Sequence, residues 1–383
     1  MTSDVEGTGK HRRRAAWSLS GWLVVALAVV AAALALPAPK ELSPPREPGP
    51  TRLSDVWPAV KPVTLSSNLP DGASYTPLFF LDANTSVGLA TSSDLASASL
   101  LIRVGEKVTR QLRVLRGLQR PTVAGVTAVG DRLYWIETGE DSHGKRQTTV
   151  WRADLSGGAA RKLATDSSDV LYFDSNYDLQ VSDGSVYWAA AGQGAIQAGE
   201  IRSVPVDGGP VRVRPLDRLY ALTVWPWATS GGNGQPGEID LLNLRSGERR
   251  TVAAGPDEIL NCTPTWCRVT TLVNQGQSLT VEIERTDGSD RRGVGDTSLM
   301  PLNTDVALAG RFEVLAGAAS ANAAATAQRL WLYDLTTNRA VLLAEAATAG
   351  IGSRGQFLWW STGDNETLVW HVLDLQQLGG SGS

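Results

Sequence analysis

The sequence predicts an all-β fold, a β-propeller of about seven four-stranded blades with six as the alternative count, preceded by one transmembrane helix and a Pro-rich stalk. Three observations predict the propeller. First, a pattern of alternating strand, tight turn, aromatic strand, loop and a further strand ending in a Gly or Asp turn recurs along the chain. Second, equivalent third-to-fourth-strand turns recur at Gly105, Gly157, Gly208, Gly247, Gly288, near Thr337 and near Gln376. Third, 13 Trp and 39 Gly in 383 residues suit a turn-rich β protein whose aromatic side chains fill the wedges between blades.

The elements follow in order. Residues 1–14 form a basic tail ending in His11, Arg12, Arg13 and Arg14, and residues 15–36 carry no charge. A helix over those residues reaches about 33 Å, enough for a hydrocarbon core of about 30 Å. The basic cluster holds the N-terminus in the cytoplasm, so the rest of the chain lies outside it: a single-pass cell membrane protein with a signal anchor. Ala33-Leu34-Ala35 offers the alternative, cleavage and secretion, but the apolar run is longer than a signal peptide's usual core. Residues 37–54 are the Pro-rich stalk, an extended spacer between membrane and ectodomain. Heavy Arg, Ala and Gly usage hints at a bacterial source.

Residues 55–378 are the propeller. Its clearest unit has Leu133-Tyr134-Trp135-Ile136-Glu137 as aromatic strand, and the next has Val186-Tyr187-Trp188-Ala189-Ala190. One four-stranded sheet cannot hide both faces, so units stack about an axis. The last unit lacks sequence for a fourth strand after Leu378, and residues 55–65 are placed to supply it and close the ring. Residues 379–383 are a Gly/Ser tail. The two aromatic strands, each followed by a strand and a Gly-Gly turn, resemble the TolB-like, YWTD-like and WD40-like propellers. The resemblance implies the fold and leaves the ligand open, because such propellers serve receptors, periplasmic platforms, lactonases and peptidases.

A formal charge of −4 disfavours a nucleic-acid surface. Cys262 and Cys267 are the only cysteines, and outside the cytoplasm so close a pair reads as a structural disulfide across the Pro264 turn; C-x4-C is not the redox C-x-x-C spacing. The three histidines, His11, His143 and His371, form no metal-binding or catalytic pair. Asp174, Asn176 and Asp178 have the alternation of a calcium loop, without its later Gly and Glu; they are weak metal candidates, and no cofactor is expected.

Two classes of long connection, between second and third strands and between blades, emerge on one face of a propeller, and that face is expected to hold the function. Its candidate binding residues are the aromatics Tyr172, Phe173, Tyr177, Tyr220, Trp225 and Trp227, for which packing between blades is the competing reading. The leading expectation is a membrane-tethered, non-catalytic module at the bacterial cell envelope that binds an envelope protein or cell-wall component. The alternative is a metal-dependent lactonase-like or other hydrolase with its site at the propeller axis.

Overall fold

The computed structural model describes residues 49–116, 122–140, 146–173, 175–192, 198–231, 234–273, 278–295, 298–319, 326–348, 350–364 and 367–379. The expected basic tail, membrane helix, most of the stalk, His143, Asp174 and the end of the Gly/Ser tail lie outside the described residues. Among the described residues no helix is long and apolar enough to cross a membrane.

The strands form six sheets: four of four strands, one of five, and one of eight. The eight-stranded sheet is two four-stranded units joined by the single pair Ala347–Thr362. Seven units result. Blade 1 spans residues 74–116, blade 2 122–164, blade 3 169–216, blade 4 221–252, blade 5 258–293 and blade 6 300–347. Blade 7 takes three strands from residues 352–374 and its fourth, Val63–Ser66, from the start of the fold. That strand runs antiparallel to Val369–Asp374, with Leu65 opposite Trp370.

The closing strand is shorter than residues 55–65 suggest. Leu53–Val56 is instead one helical turn, and residues 50–54, assigned to the stalk by composition, reach the sheet: the Leu342 amide donates to the Thr51 carbonyl at 2.8 Å. Inside the ring, Arg103 is fully buried and donates to the Ser66 carbonyl at 2.6 Å, tying blade 1 to the closing strand.

The core is divided among the blade interfaces, as expected when a sheet must hide its faces against its neighbours. Leu100 and Val87 of blade 1 meet Trp135 and Trp151 of blade 2. Tyr134 and Val150 of blade 2 meet Trp188 of blade 3, and Ile201 of blade 3 meets Leu222 and Leu242 of blade 4. Trp227 of blade 4 packs with Cys262 and Val269 of blade 5, and Trp266 of blade 5 with Leu315 and Tyr333 of blade 6. Phe312 of blade 6 joins Leu358 and Trp360 of blade 7, and Trp359 and Trp370 of blade 7 join Phe80 of blade 1. The last contact completes the ring. Close to the axis the blades nearly touch: at Gly125, whose φ is +57°, a Cβ would come within 3.0 Å of Leu179 Cβ in the next blade.

Candidate functional site

Blades splay outward from an axis, so the space they cannot fill lies at the centre. A cavity of about 1180 Å³ occupies it, lined by residues from all seven blades. Val129, Val224, Thr265, Ala309 and Gly355 line it, each beside the turn between the first and second strands of its blade. The cavity therefore opens on the face of the tight turns. The long-loop face, expected from loop length to carry the function, is the opposite one.

Asn176 and Tyr177, from the connection between the short strand Asp169–Val170 and the first strand of blade 3, Leu179–Ser182, line the inner end of the cavity. Asp178 shapes this segment by accepting hydrogen bonds from the amides of Phe173 (3.1 Å) and Ser175 (3.2 Å). The segment crosses to the far side of the ring. Ser175 Oγ donates to Asp305 Oδ1 of blade 6 at 3.2 Å, and Asn176 Nδ2 donates to Asp305 Oδ2. From blade 7, Arg354 Nη1 donates to the Ser175 carbonyl at 2.7 Å and the Gly355 amide to Asn176 Oδ1 at 3.1 Å. Tyr177 and Asp305 separate the main cavity from an inner one of about 70 Å³.

Asp305 is the chemically distinctive group. It is partly buried, and desolvation pushes its carboxyl above the usual range, against the opposing pull of the Arg354 charge and the bonds from Asn176 and Ser175. Burial, with the nearby Asp305 charge, likewise raises the Tyr177 phenol, so its hydroxyl keeps its proton at all ordinary pH values. The Asp305 backbone is fixed from below. Arg268 of blade 5 donates to Glu313 of blade 6 at 2.7 Å and to the Thr304 carbonyl at 3.2 Å, while Glu313 accepts from the Ala307 amide at 2.6 Å. Both charged side chains are buried.

The residues singled out from sequence divide sharply. Tyr177 reaches the axial cavity. Tyr172 is half-buried beside blade 2, its hydroxyl 2.6 Å from Thr138 Oγ1, and Phe173 lines the inner cavity. Tyr220 and Trp227 are core: Tyr220 is 1 % exposed between blades 3 and 4, and the buried Trp227 lies between blades 4 and 5 under the Arg250 guanidinium. Burial removes both from any docking face. Trp225 sits in a tight turn, its ring centroid 4.0 Å from that of Tyr187.

Asn176 and Asp178, the described members of the calcium-like triplet, spend their polar atoms on Asp305, Gly355 and the local turn. Among the described residues no three His, Cys, Asp or Glu side chains converge to share a metal. Cys262 and Cys267 are bonded, facing each other across the blade 5 hairpin. The Asp305, Arg354, Arg268 and Glu313 set escaped the sequence reading because its members lie far apart in the chain. The alternating polar run 174–178 was its one visible sign, and it pointed to a cation rather than to a bridge between blades.

No family model matches this chain, and no curated protein matches it. Solved structures do. A puromycin-hydrolyzing peptidase from Mycobacterium tuberculosis is similar over 86 % of this chain, at 14 % identity and a TM-score of 0.49; the match spans 54 % of that protein's length. The propeller domain of the Trilobed protease from Pyrococcus furiosus is similar over 66 % of this chain and 83 % of its own, at 11 % identity and a TM-score of 0.45. TolB from Acinetobacter baumannii is similar over 69 % of this chain and 64 % of its own, at 12 % identity and a TM-score of 0.40.

The chain has a β-propeller fold. At these identities the likeness is one of fold alone. The solved structures similar to it are mostly enzymes, peptidases foremost, which runs against the expectation of a non-catalytic binding module.

Proposed function

We propose that the axial cavity is the active site of a hydrolase, with Asp305 as general base. The observation that supports this is a recessed carboxyl of raised pKa at the inner end of a cavity of about 1180 Å³, beside a protonated phenol and a guanidinium. In its ionised form Asp305 takes a proton from water as the water oxygen bonds to the acyl carbon of an ester, lactone or amide. Tyr177 and Arg354 are the donors available to the oxyanion that develops. The acyl bond to the leaving group then breaks, and the proton passes from Asp305 to that group.

The reading places this hydrolase outside the cytoplasm, held to the membrane by residues 15–36, with substrates drawn from the cell envelope. The basic run before those residues and the Cys262–Cys267 disulfide support that placement.

The test is turnover of the full chain on a panel of esters, lactones and amides, wild type beside Asp305→Asn. Loss of a general base lowers turnover by about 100- to 10,000-fold. Because the ionised form is the active one and its pKa is raised, wild-type turnover falls with decreasing pH at a value above the ordinary aspartate range near ~3.9. Hydrolysis unaffected by Asp305→Asn, or none above the buffer rate, removes the proposal.

A further inference from the structure

The mouth of the axial cavity has two chemically different sides. On one, Val129 of blade 2 and Val224 of blade 4 are 51 % and 43 % exposed. On the other, blade 5 presents the Trp266 indole with two guanidinium groups against it, Arg285 at 3.7 Å and Arg292 at 5.6 Å from the ring centroid.

The two arginines are not equally engaged. Arg292 donates to Asp290 at 3.0 Å and to the Leu335 carbonyl at 2.7 Å. Arg285 makes no side-chain hydrogen bond to a described residue; it pairs with the Asp290 carboxylate at 3.8 Å, beyond hydrogen-bond reach, lies near the Asp287 charge, and its side chain is 42 % exposed. Stacking on an indole occupies the face of a guanidinium and leaves its in-plane N–H donors pointing outward, the geometry that receives a carboxylate through two parallel hydrogen bonds. Three arginines line this cavity against two aspartates, in a chain whose formal charge is −4, so the cavity is locally cationic within an acidic protein.

We infer that the mouth of the axial cavity binds organic anions with an apolar body, acyl carboxylates being the simplest, the acid group on Arg285 and Arg292 and the hydrocarbon against Val129 and Val224. The inference deepens the proposed hydrolase by naming its substrate class, and it rests on that reading for its catalytic meaning while binding is measured without turnover.

Calorimetric titration of the full chain with hexanoate, butanoate and hexan-1-ol tests it, in wild type, in Arg285→Gln with Arg292→Gln, and in Asp305→Asn. Hexanoate is expected to bind at least tenfold more tightly than either butanoate or hexan-1-ol, and to weaken with added salt. The double arginine variant should lose at least tenfold of that affinity, while Asp305→Asn retains it. Equal binding of hexanoate and hexan-1-ol, an undiminished affinity in a double variant that melts as wild type does, or no binding of hexanoate overturns the inference. Arginine-dependent hexanoate binding in a protein that hydrolyses nothing would sink the hydrolase and leave this site standing.

Discussion

Asp305 is held on its backbone as well as on its carboxyl, to which Ser175 and Asn176 donate. Arg268 fixes the carbonyls of Thr304 and Asp305, and Glu313 both balances that charge and accepts from the Ala307 amide. Removing Glu313 leaves a guanidinium buried without its counter-ion, a far larger penalty than the pair's net contribution. Glu313→Gln is therefore expected to lower unfolding free energy by about 3 kcal/mol in urea titration, with loss of Asp305-dependent turnover. A second ion pair, between Arg311 and the buried Asp334, gives a pH signature. Burial alone would raise the Asp334 carboxyl, but bonds from Arg311, Thr336 and Thr337 outweigh it and hold the group well below the ordinary range. A folded-state pKa below the unfolded one stabilises the fold above the unfolded value near ~3.9, and the stabilisation is lost as pH falls through and below it. Urea midpoints should drop from pH 5 to pH 3, on the order of the range over which carboxylates titrate, and Asp334→Asn should flatten that drop while lowering stability at neutral pH.

At the scale of elements, the hairpin of blade 5 and the closing strand each make a measurable contribution. The disulfide closes only the few residues between Cys262 and Cys267, so its effect on the unfolded chain is modest. Cys262→Ala with Cys267→Ala should cost about 2 kcal/mol by denaturant titration, and reductant should then leave the double variant unchanged. Leu65 is 2 % exposed and packs in the cluster that joins blade 7 to blade 1. Leu65→Ala should cost about 2 to 5 kcal/mol, seen as a lowered denaturant midpoint, because that cluster and the Val63–Ser66 pairing close the ring together. These elements were legible because their signals are local: alternation, a turn every few residues, two cysteines close in sequence. The bridge from Ser175 and Asn176 to Asp305 and Arg354 was not, since it joins blade 3 to blades 6 and 7 through side chains with no common period. Tyr220 stands among the expected anchors for a related reason, as an aromatic beside a loop looks the same in sequence whether it turns outward or between blades.

On the scale of the whole molecule, closing the ring and bridging across it are separate acts. Seven interfaces, each carrying its own apolar cluster, hold the blades around a centre they cannot fill. Ser175 and Asn176 then bridge to blades 6 and 7, beside a pocket with its mouth among the tight turns. The central claim is that chemistry happens in this pocket and that substrate enters by this mouth. Its most direct measurement is turnover of Ala309→Cys and Gln147→Cys chains before and after coupling a bulky thiol reagent, one site lining the mouth and the other exposed on the long-loop face. Modification at residue 309 is predicted to abolish hydrolysis and modification at residue 147 to leave it intact. Hydrolysis that survives a blocked mouth and fails with residue 147 modified contradicts the account.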